Sequence, residues 1–170
     1  MNEIVQAENP VLRGETKEVP LAIIGEPKIK KLIARMKTAL DNAPDGIALA
    51  APQIGESWRI FVVSPKAFPK DKKYADGLVA INPIIKKLSA KKVKLEEGCL
   101  SVRNIFGQIK RADKVTIEAY NERGFKFVKT GSGLLAQIFQ HETDHLAGIL
   151  FTDKATDLYQ LEPITESNEK

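Results

Sequence analysis

Both histidines of this 170-residue chain lie in one short stretch, QHETDH at residues 140–145. The stretch belongs to a segment from about 133 to 147 whose apolar residues recur at helical spacing. On such a helix His141 and His145 lie one turn apart on the same face, with Glu142 beside them on the apolar side. Two histidines and a carboxylate are costly to bury without a compensating partner. This HExxH pattern indicates a metal-binding helix, and the fold must then bring a third ligand to it.

The single cysteine, Cys99 in the segment EEGCLSV at 96–102, is the candidate for that third ligand. One cysteine and two histidines give only three soft nitrogen or sulfur ligands. A structural zinc site uses four protein ligands, whereas a catalytic site uses three and leaves one position for water. The count therefore favours a catalytic site at Cys99, His141 and His145. The ligand types do not select one metal, because a thiolate with two imidazoles suits zinc, iron, nickel or cobalt.

The remaining patterns predict the α+β fold class. We expect mixed or antiparallel strands packed around the C-terminal metal-binding HExxH helix, with Ser132 as its cap and Gly148 as its stop. We also expect an N-terminal amphipathic helix and one domain over 1–170, with the last seven to ten residues frayed. The helix is predicted at 27–40, and strands are predicted at 59–64, 78–82, 91–96 and 114–120, the last followed by a hairpin through 121–124.

Composition limits the classes of partner that we expect for this chain. No apolar run approaches the roughly 20 residues of a membrane span, and the N-terminus lacks the features of a signal peptide, so we expect no membrane partner and a cytoplasmic location. The net charge is +4, with lysines concentrated at 65–73 and 90–94. Aromatic residues make up only 6% and form no stacking motif, so sequence-specific nucleic-acid binding is not expected. The lysines could still make a transient contact with the ribosome.

Three motifs in order resemble those of the peptide deformylase family, whose members remove the formyl group from the N-terminal formylmethionine of new bacterial polypeptides. They are GIALAAPQ at 46–53, EGCLS at 97–101 and the HExxH helix. The similarity extends to PVLR at 10–13 and KRADKV at 110–115. One position departs from the family pattern, because Ala48 stands where the family has its second glycine.

The resemblance implies a role for each matching residue. One divalent ion, with Fe(II) favoured over zinc, nickel or cobalt, would be held by Cys99, His141 and His145, and Glu142 would be the general acid/base. The side chain of Gln53 and the backbone N–H of Leu100 would stabilise the oxyanion of the formyl group. The expected substrate-binding residues are Gly46, Ile47 and Ala48, and the expected polar network behind the ligands is Glu97, Arg111 and Asp144.

Three alternatives use the same residues differently. A zincin-type peptidase also has HExxH, but it takes its third ligand downstream, where Asp153 is the nearby carboxylate, and would leave Cys99 idle. A cysteine hydrolase would use Cys99 as nucleophile and a histidine as base. A non-catalytic binding module would use the metal for stability alone and could reach the ribosome through its lysines.

Overall fold

The structure, a computed structural model, describes residues 4–162. Within this range the chain forms two α-helices and eight strands, joined by turns and short 3-10 segments. The α+β class with antiparallel strands, as predicted from the sequence, is confirmed. The predicted fraying concerns the C-terminal end, and residues 163–170 lie outside the described range.

The strands form two antiparallel sheets. The larger has the order β1-β2-β3-β6-β7, and the smaller has the order β4-β5-β8. The larger contains β1 (Ala48–Ala50), β2 (Ile60–Val63), β3 (Leu78–Leu88), β6 (Lys114–Tyr120) and β7 (Lys126–Ser132). The smaller contains β4 (Lys92–Cys99), β5 (Val102–Ala112) and β8 (Thr156–Gln160). Both β1 and β4 are outer strands of their sheets, a position that matters for the pocket described below.

Helix α1 (Pro27–Asp41) begins with a proline, which suits the first turn because its missing N–H has no partner there in any case. Its apolar residues recur on one side, and that side is buried in a core shared with β1 and β2. The buried residues are Ile29, Leu32, Ile33, Met36, Ala39 and Leu40.

Helix α2 (Leu134–Leu146) carries both histidines and packs against β7, β6 and β1. The prediction that Ser132 caps this helix is wrong, because Ser132 is the last residue of β7. Gly133 is the N-terminal cap instead, with a φ of 57° and no side-chain capping bond. The chain turns directly from strand to helix here, and glycine readily adopts that backbone conformation. Gly148 ends the helix with a φ of 73°, as a C-terminal glycine does.

Three strands were not predicted from the sequence, namely the three-residue β1 and the two longer strands β5 and β8. β5 pairs with β4 along almost its whole length, and β8 adds to the other side of β5. Both contain polar or exposed residues that give no clean alternation, so their pairing partners decide their conformation. The predicted strand at 78–82 also continues to Leu88, past an irregularity at Asn82, whose φ is 52° and whose side chain bonds the backbone of Val19. None of the helices in the described range is long and apolar enough to span a membrane.

The end of α2 is fixed by the N-terminal segment. The backbone N–H and hydroxyl of Thr16 both donate to the carbonyl of Leu146, at 3.1 and 2.8 Å. A Cβ on Gly148 would lie 2.6 Å from the carbonyl oxygen of Arg13. The close approach therefore depends on glycine for both space and φ.

We expect Gly148→Ala to lower the free energy of unfolding by about 1 to 3 kcal/mol, since it adds a clash and a strained φ. Gly25→Ala is the matched control, because a Cβ there meets nothing within 4 Å. Urea denaturation of both variants measures the difference. Equal stability of the two variants would contradict the proposed fit between helix end and N-terminal segment.

Candidate active site

A cavity of about 410 Å³ opens between the two sheets. Its walls come from the segment that enters β1, from the hairpin of β4 and β5, and from one side of α2. Gly46, Ile47 and Ala48 all line it, and so do Cys99 and His141. Three distant parts of the sequence therefore meet at one pocket.

Cys99, His141 and His145 come together at the base of this region. Their ligand atoms all lie within 4.8 Å of one another. The Nε2 atom of His145 lies 3.2 Å from the Sγ atom of Cys99 and 3.2 Å from Nε2 of His141. In the described range these are the residues that group as candidate ligands of one ion. Asp153 is not among them, because its carboxylate pairs with Arg13 at 2.5 Å.

The two separations of 3.2 Å that His145 makes with Cys99 and His141 fit a metal ion. Protein ligands lie about 2.0–2.3 Å from zinc-like ions, which puts neighbouring ligand atoms roughly 3 to 4 Å apart. Among residues 4–162 no fourth protein ligand joins the group, so a position for water or substrate remains. The set of one thiolate and two imidazoles also matches the ligand preferences of iron, zinc, nickel and cobalt.

Behind the ligands lies a buried charge network centred on Arg111. Its guanidinium donates to both oxygens of Glu97, at 2.6 and 3.1 Å, and to Asp144 at 2.6 Å. Glu97 in turn lies 2.5 Å from Nδ1 of His141. Burial by itself raises the pKa of Glu97, but hydrogen bonds from His141 and Arg111 outweigh it and lower that pKa to about 2. Glu97 is therefore a fixed negative charge that leaves Nε2 of His141 directed at the ligand group.

The pKa values of the two histidines are shifted in opposite directions. Burial disfavours the charged form of His141, but hydrogen bonds to Cys99 and Glu97 raise its pKa above the ordinary value. The pKa of His145 is lowered, first by burial and then by repulsion from His141. The surroundings of His141 thus favour one positive charge between Cys99 and Glu97. A metal cation bound by neutral histidines would satisfy the same requirement.

Glu142 is buried beside the ligand group, and its Oε2 atom has no hydrogen-bond partner among residues 4–162. Burial raises the pKa of Glu142 from 4.5 to about 7, against the opposing effect of His141. A carboxyl group with this pKa exchanges a proton near neutral pH. An unpaired oxygen in a buried position is a cost to folding, which points to a use in chemistry rather than in stability.

Gln53 is held at the cavity by both ends of its amide. Its Oε1 accepts a hydrogen bond from the N–H of Ala50 at 2.9 Å, so its NH₂ group faces the ligands. Nε2 donates to the hydroxyl of Ser101 at 3.1 Å and lies 3.5 Å from Sγ of Cys99. Leu100 follows Cys99 directly, lines the cavity, and is fixed through its carbonyl by Gln6.

Three residues that contribute to the site were not identified from the sequence. Ser101 accepts from Gln53, Lys154 pairs with Asp144 at 2.7 Å, and Gln137 donates to Glu97 at 3.3 Å and to the carbonyl of Glu96 at 2.9 Å. Gln137 lies one helical turn before His141, and that spacing could have identified it. Lys154 carried no such signal, because its contact depends on how the chain returns after α2.

The raised pKa of Glu142 predicts a pH-dependent cost in the metal-free protein. Its folded-state pKa of about 7 exceeds the unfolded value of 4.5, so its contribution to stability falls as pH rises between those values. We expect Glu142→Gln to gain about 2 to 3 kcal/mol relative to wild type between pH 5 and pH 8. Urea denaturation of both metal-free proteins at the two pH values measures this gain. A difference that does not change with pH would show that Glu142 titrates normally.

Comparison with known proteins places the chain in a family. Residues 1–160 match the family model described as polypeptide deformylase. The chain is 39% identical over 158 residues to peptide deformylase 2 of Clostridium acetobutylicum, covering 92% of this chain and 97% of that protein. It is 43% identical over 153 residues to a peptide deformylase of Desulfitobacterium hafniense, covering 90% and 93%.

The fold agrees with solved structures of the same kind. The crystal structure of peptide deformylase from Thermotoga maritima superposes with a TM-score of 0.77 at 35% sequence identity, covering 90% of this chain and 96% of that one. Sequence similarity along almost the full length and a shared fold lead to the same assignment. The chain belongs to the polypeptide deformylase family.

Proposed function

We propose that this protein is a metal-dependent hydrolase that removes the formyl group from the N-terminal formylmethionine of newly made polypeptides and releases formate. The observation that carries the proposal is the convergence of Cys99, His141 and His145 on one point beside the unpaired, buried carboxyl of Glu142. Family membership supports it independently. The chain would act as a single catalytic domain over 1–170.

The metal would be held by Cys99, His141 and His145, and we favour Fe(II) over zinc, nickel or cobalt, as the resemblance implies. When bound, the ion would supply Lewis acidity and lower the pKa of water at the site toward about 7. Glu97 would keep His141 in its ligand orientation, because it accepts at Nδ1 and leaves Nε2 free for the metal. Arg111 and Asp144 would hold Glu97 in turn.

Glu142 would move the proton. Its carboxylate can take a proton from the attacking water, and the resulting acid can give it to the amine that leaves when the C–N bond breaks. Burial raises the pKa of Glu142 to about 7 in the metal-free site, and a bound divalent cation would oppose that shift and favour the carboxylate that accepts the first proton. The free Oε2 atom provides an acceptor that is not engaged in another hydrogen bond.

Gln53 and Leu100 would stabilise the negative charge that develops on the formyl oxygen. The hydrogen bond from Ala50 fixes the Gln53 amide with its donor nitrogen toward the ligand group. The backbone N–H of Leu100, next to Cys99 in the chain, would be the second donor. Such preoriented donors lower a barrier because they need no reorganisation during the reaction.

An extended peptide fits between two sheet edges. β1 and β4 are outer strands, and residues of both line the cavity. An outer strand has unpaired backbone groups that an added peptide strand can bond, and here Gly46, Ile47 and Ala48 would do so. Ala48 has an ordinary negative φ, since it is not among the residues with positive φ, so alanine is compatible with the backbone here. The apolar wall residues Phe106 and Ile138 would receive the methionine side chain.

The protein would act on newly made polypeptides in the cytoplasm. A transient contact with the ribosome through the exposed lysines is part of this proposal.

The alternative functions find less support. A zincin would need Asp153 as a ligand, and that carboxylate is paired with Arg13. A cysteine hydrolase would use one histidine as base beside Cys99, whereas here both histidines lie at ligand spacing, with 3.2 Å between their Nε2 atoms.

The first test is formate release from a formyl-Met-Ala-Ser peptide by protein purified without oxygen and loaded with Fe(II) or Ni(II). We expect turnover that requires the metal and a kcat at least about 100-fold lower in Glu142→Gln, with metal content unchanged. Glu118→Gln, on the outer face of the large sheet, is the matched control and should behave as wild type. A binding module would bind the metal and release no formate in any of these proteins.

A second test separates the deformylase from the zincin. We expect Cys99→Ala to reduce bound metal to well below one ion per chain at micromolar ion concentration, because one of three protein ligands is lost. Asp153→Asn should bind one ion, as wild type does. Elemental analysis after gel filtration measures both. Metal retained in Cys99→Ala and lost in Asp153→Asn would establish the zincin arrangement instead.

A further inference from the structure

The β4–β5 hairpin supplies one wall of the cavity, and Glu96 and Phe106 are two of the residues that line it there. Phe106 lies opposite Gly98, directly before Cys99, and a Cβ on Gly98 would come within 2.7 Å of the Phe106 ring. The ring is therefore packed against the backbone that leads into the Cys99 ligand. Glu96 is an exposed side chain on the same strand. A long exposed carboxylate usually rotates freely, so another residue must hold the Glu96 side chain in its place in this wall.

The residue that holds Glu96 lies on the C-terminal strand, β8, behind the wall. Tyr159 of β8 pairs with Phe106 in register, and their rings stack with centroids 5.9 Å apart and an interplanar angle of 25°. The Tyr159 hydroxyl donates to Oε2 of Glu96 at 2.7 Å. One side chain thus contacts both wall residues, although Tyr159 is not itself part of the cavity lining.

Two further contacts hold β8 and Glu96 in place. A Cβ on Gly107 would lie 2.7 Å from Cδ2 of Leu158, so β8 packs closely over β5 beside Tyr159. The carbonyl of Glu96 accepts from Gln137 of α2 at 2.9 Å. Glu96 is therefore fixed at its backbone by the helix that carries His141 and at its carboxylate by β8.

We propose that Tyr159 is a positioning residue for substrate: by fixing Phe106 and Glu96, it gives the wall the shape that binds the formyl peptide, so that β8 sets affinity. The inference rests on the proposed deformylase function for its choice of substrate. Because the wall is already ordered before the peptide binds, the binding free energy does not include the entropy lost in ordering the wall. The reacting groups lie on α2 and at Cys99, which Tyr159 does not touch, so the chemical step is unaffected.

The test compares Tyr159→Phe, which keeps the ring stack and loses the hydroxyl, with Tyr159→Ala, which loses both. With formyl-Met-Ala-Ser as substrate, we expect KM to rise about threefold in Tyr159→Phe and about tenfold or more in Tyr159→Ala, with kcat within twofold of wild type. Asp157→Asn is the matched control on β8, because it removes an exposed pairing with Lys94 and leaves the wall intact. Its KM should equal that of wild type.

A double-variant cycle tests whether Tyr159 acts through Glu96. In a Glu96→Ala background, Tyr159→Phe should no longer change KM, since the hydroxyl has lost its acceptor. An equal effect in both backgrounds would overturn the assignment. So would an unchanged KM in both single variants, or a fall in kcat with KM unchanged.

A measurement of peptide binding tests the role of Tyr159 independently of the proposed deformylase activity. Calorimetry with the Ni(II)-loaded proteins gives the Kd of the deformylated product peptide, Met-Ala-Ser, which these proteins do not turn over. If wild type releases no formate, the deformylase proposal fails, while a higher Kd in Tyr159→Ala still supports the role of Tyr159. A Kd equal to that of wild type overturns it. If Tyr159→Ala does not fold, the Tyr159→Phe comparison decides by itself.

Discussion

The buried ion pair between Glu97 and Arg111 is the contact on which the site depends. It joins β4 to β5, and the bonds from Asp144 and His141 add α2 to the same network. Both side chains of the pair are only 4% exposed, so neither charge can be satisfied by water if the other is lost. Breaking such a pair by removing one partner costs about 3 to 5 kcal/mol. Because Cys99 follows Glu97 closely and His141 bonds to it, the same network places ligands from two distant elements.

Burial has opposite consequences for the two glutamates of this site. Glu97 is buried with strong partners, so its pKa falls to about 2 and it remains a permanent charge. Glu142 is buried with an oxygen that has no partner, so its pKa rises to about 7 and it can exchange a proton. One carboxyl therefore orients a ligand and the other is suited to proton transfer, although the residue type is the same. The hydrogen-bond partners, rather than the depth of burial, separate the two roles.

The division of the strands into two sheets creates the place for a substrate. A single closed sheet would have paired the outer sides of β1 and β4, whereas two sheets leave both available beside the cavity. Helix α2 lies along the same space, since it packs against strands of both sheets. The ligands and the peptide-binding edges are therefore adjacent for an architectural reason. β8 then stabilises the far wall through Tyr159, from a part of the chain that follows the catalytic helix.

Local patterns in the sequence predicted much of this. The alternation of Val115, Ile117 and Ala119 marked the buried face of β6, and all three are buried. The count of soft ligands singled out Cys99, His141 and His145, which lie within 4.8 Å of one another. Where the signal was not local, prediction failed: β1, β5 and β8 were not identified, and Gly133 rather than Ser132 caps α2.

The sequence by itself determined the residue types, their spacing and the apolar faces, because side-chain periodicity and ligand chemistry are properties of neighbouring residues. Only the tertiary structure decided which carboxyl holds its proton, that Lys154 pairs with Asp144, and that Tyr159 supports the wall of the cavity. These features depend on desolvation and on contacts between residues as far as 63 positions apart, and neither is encoded in any short stretch of chain.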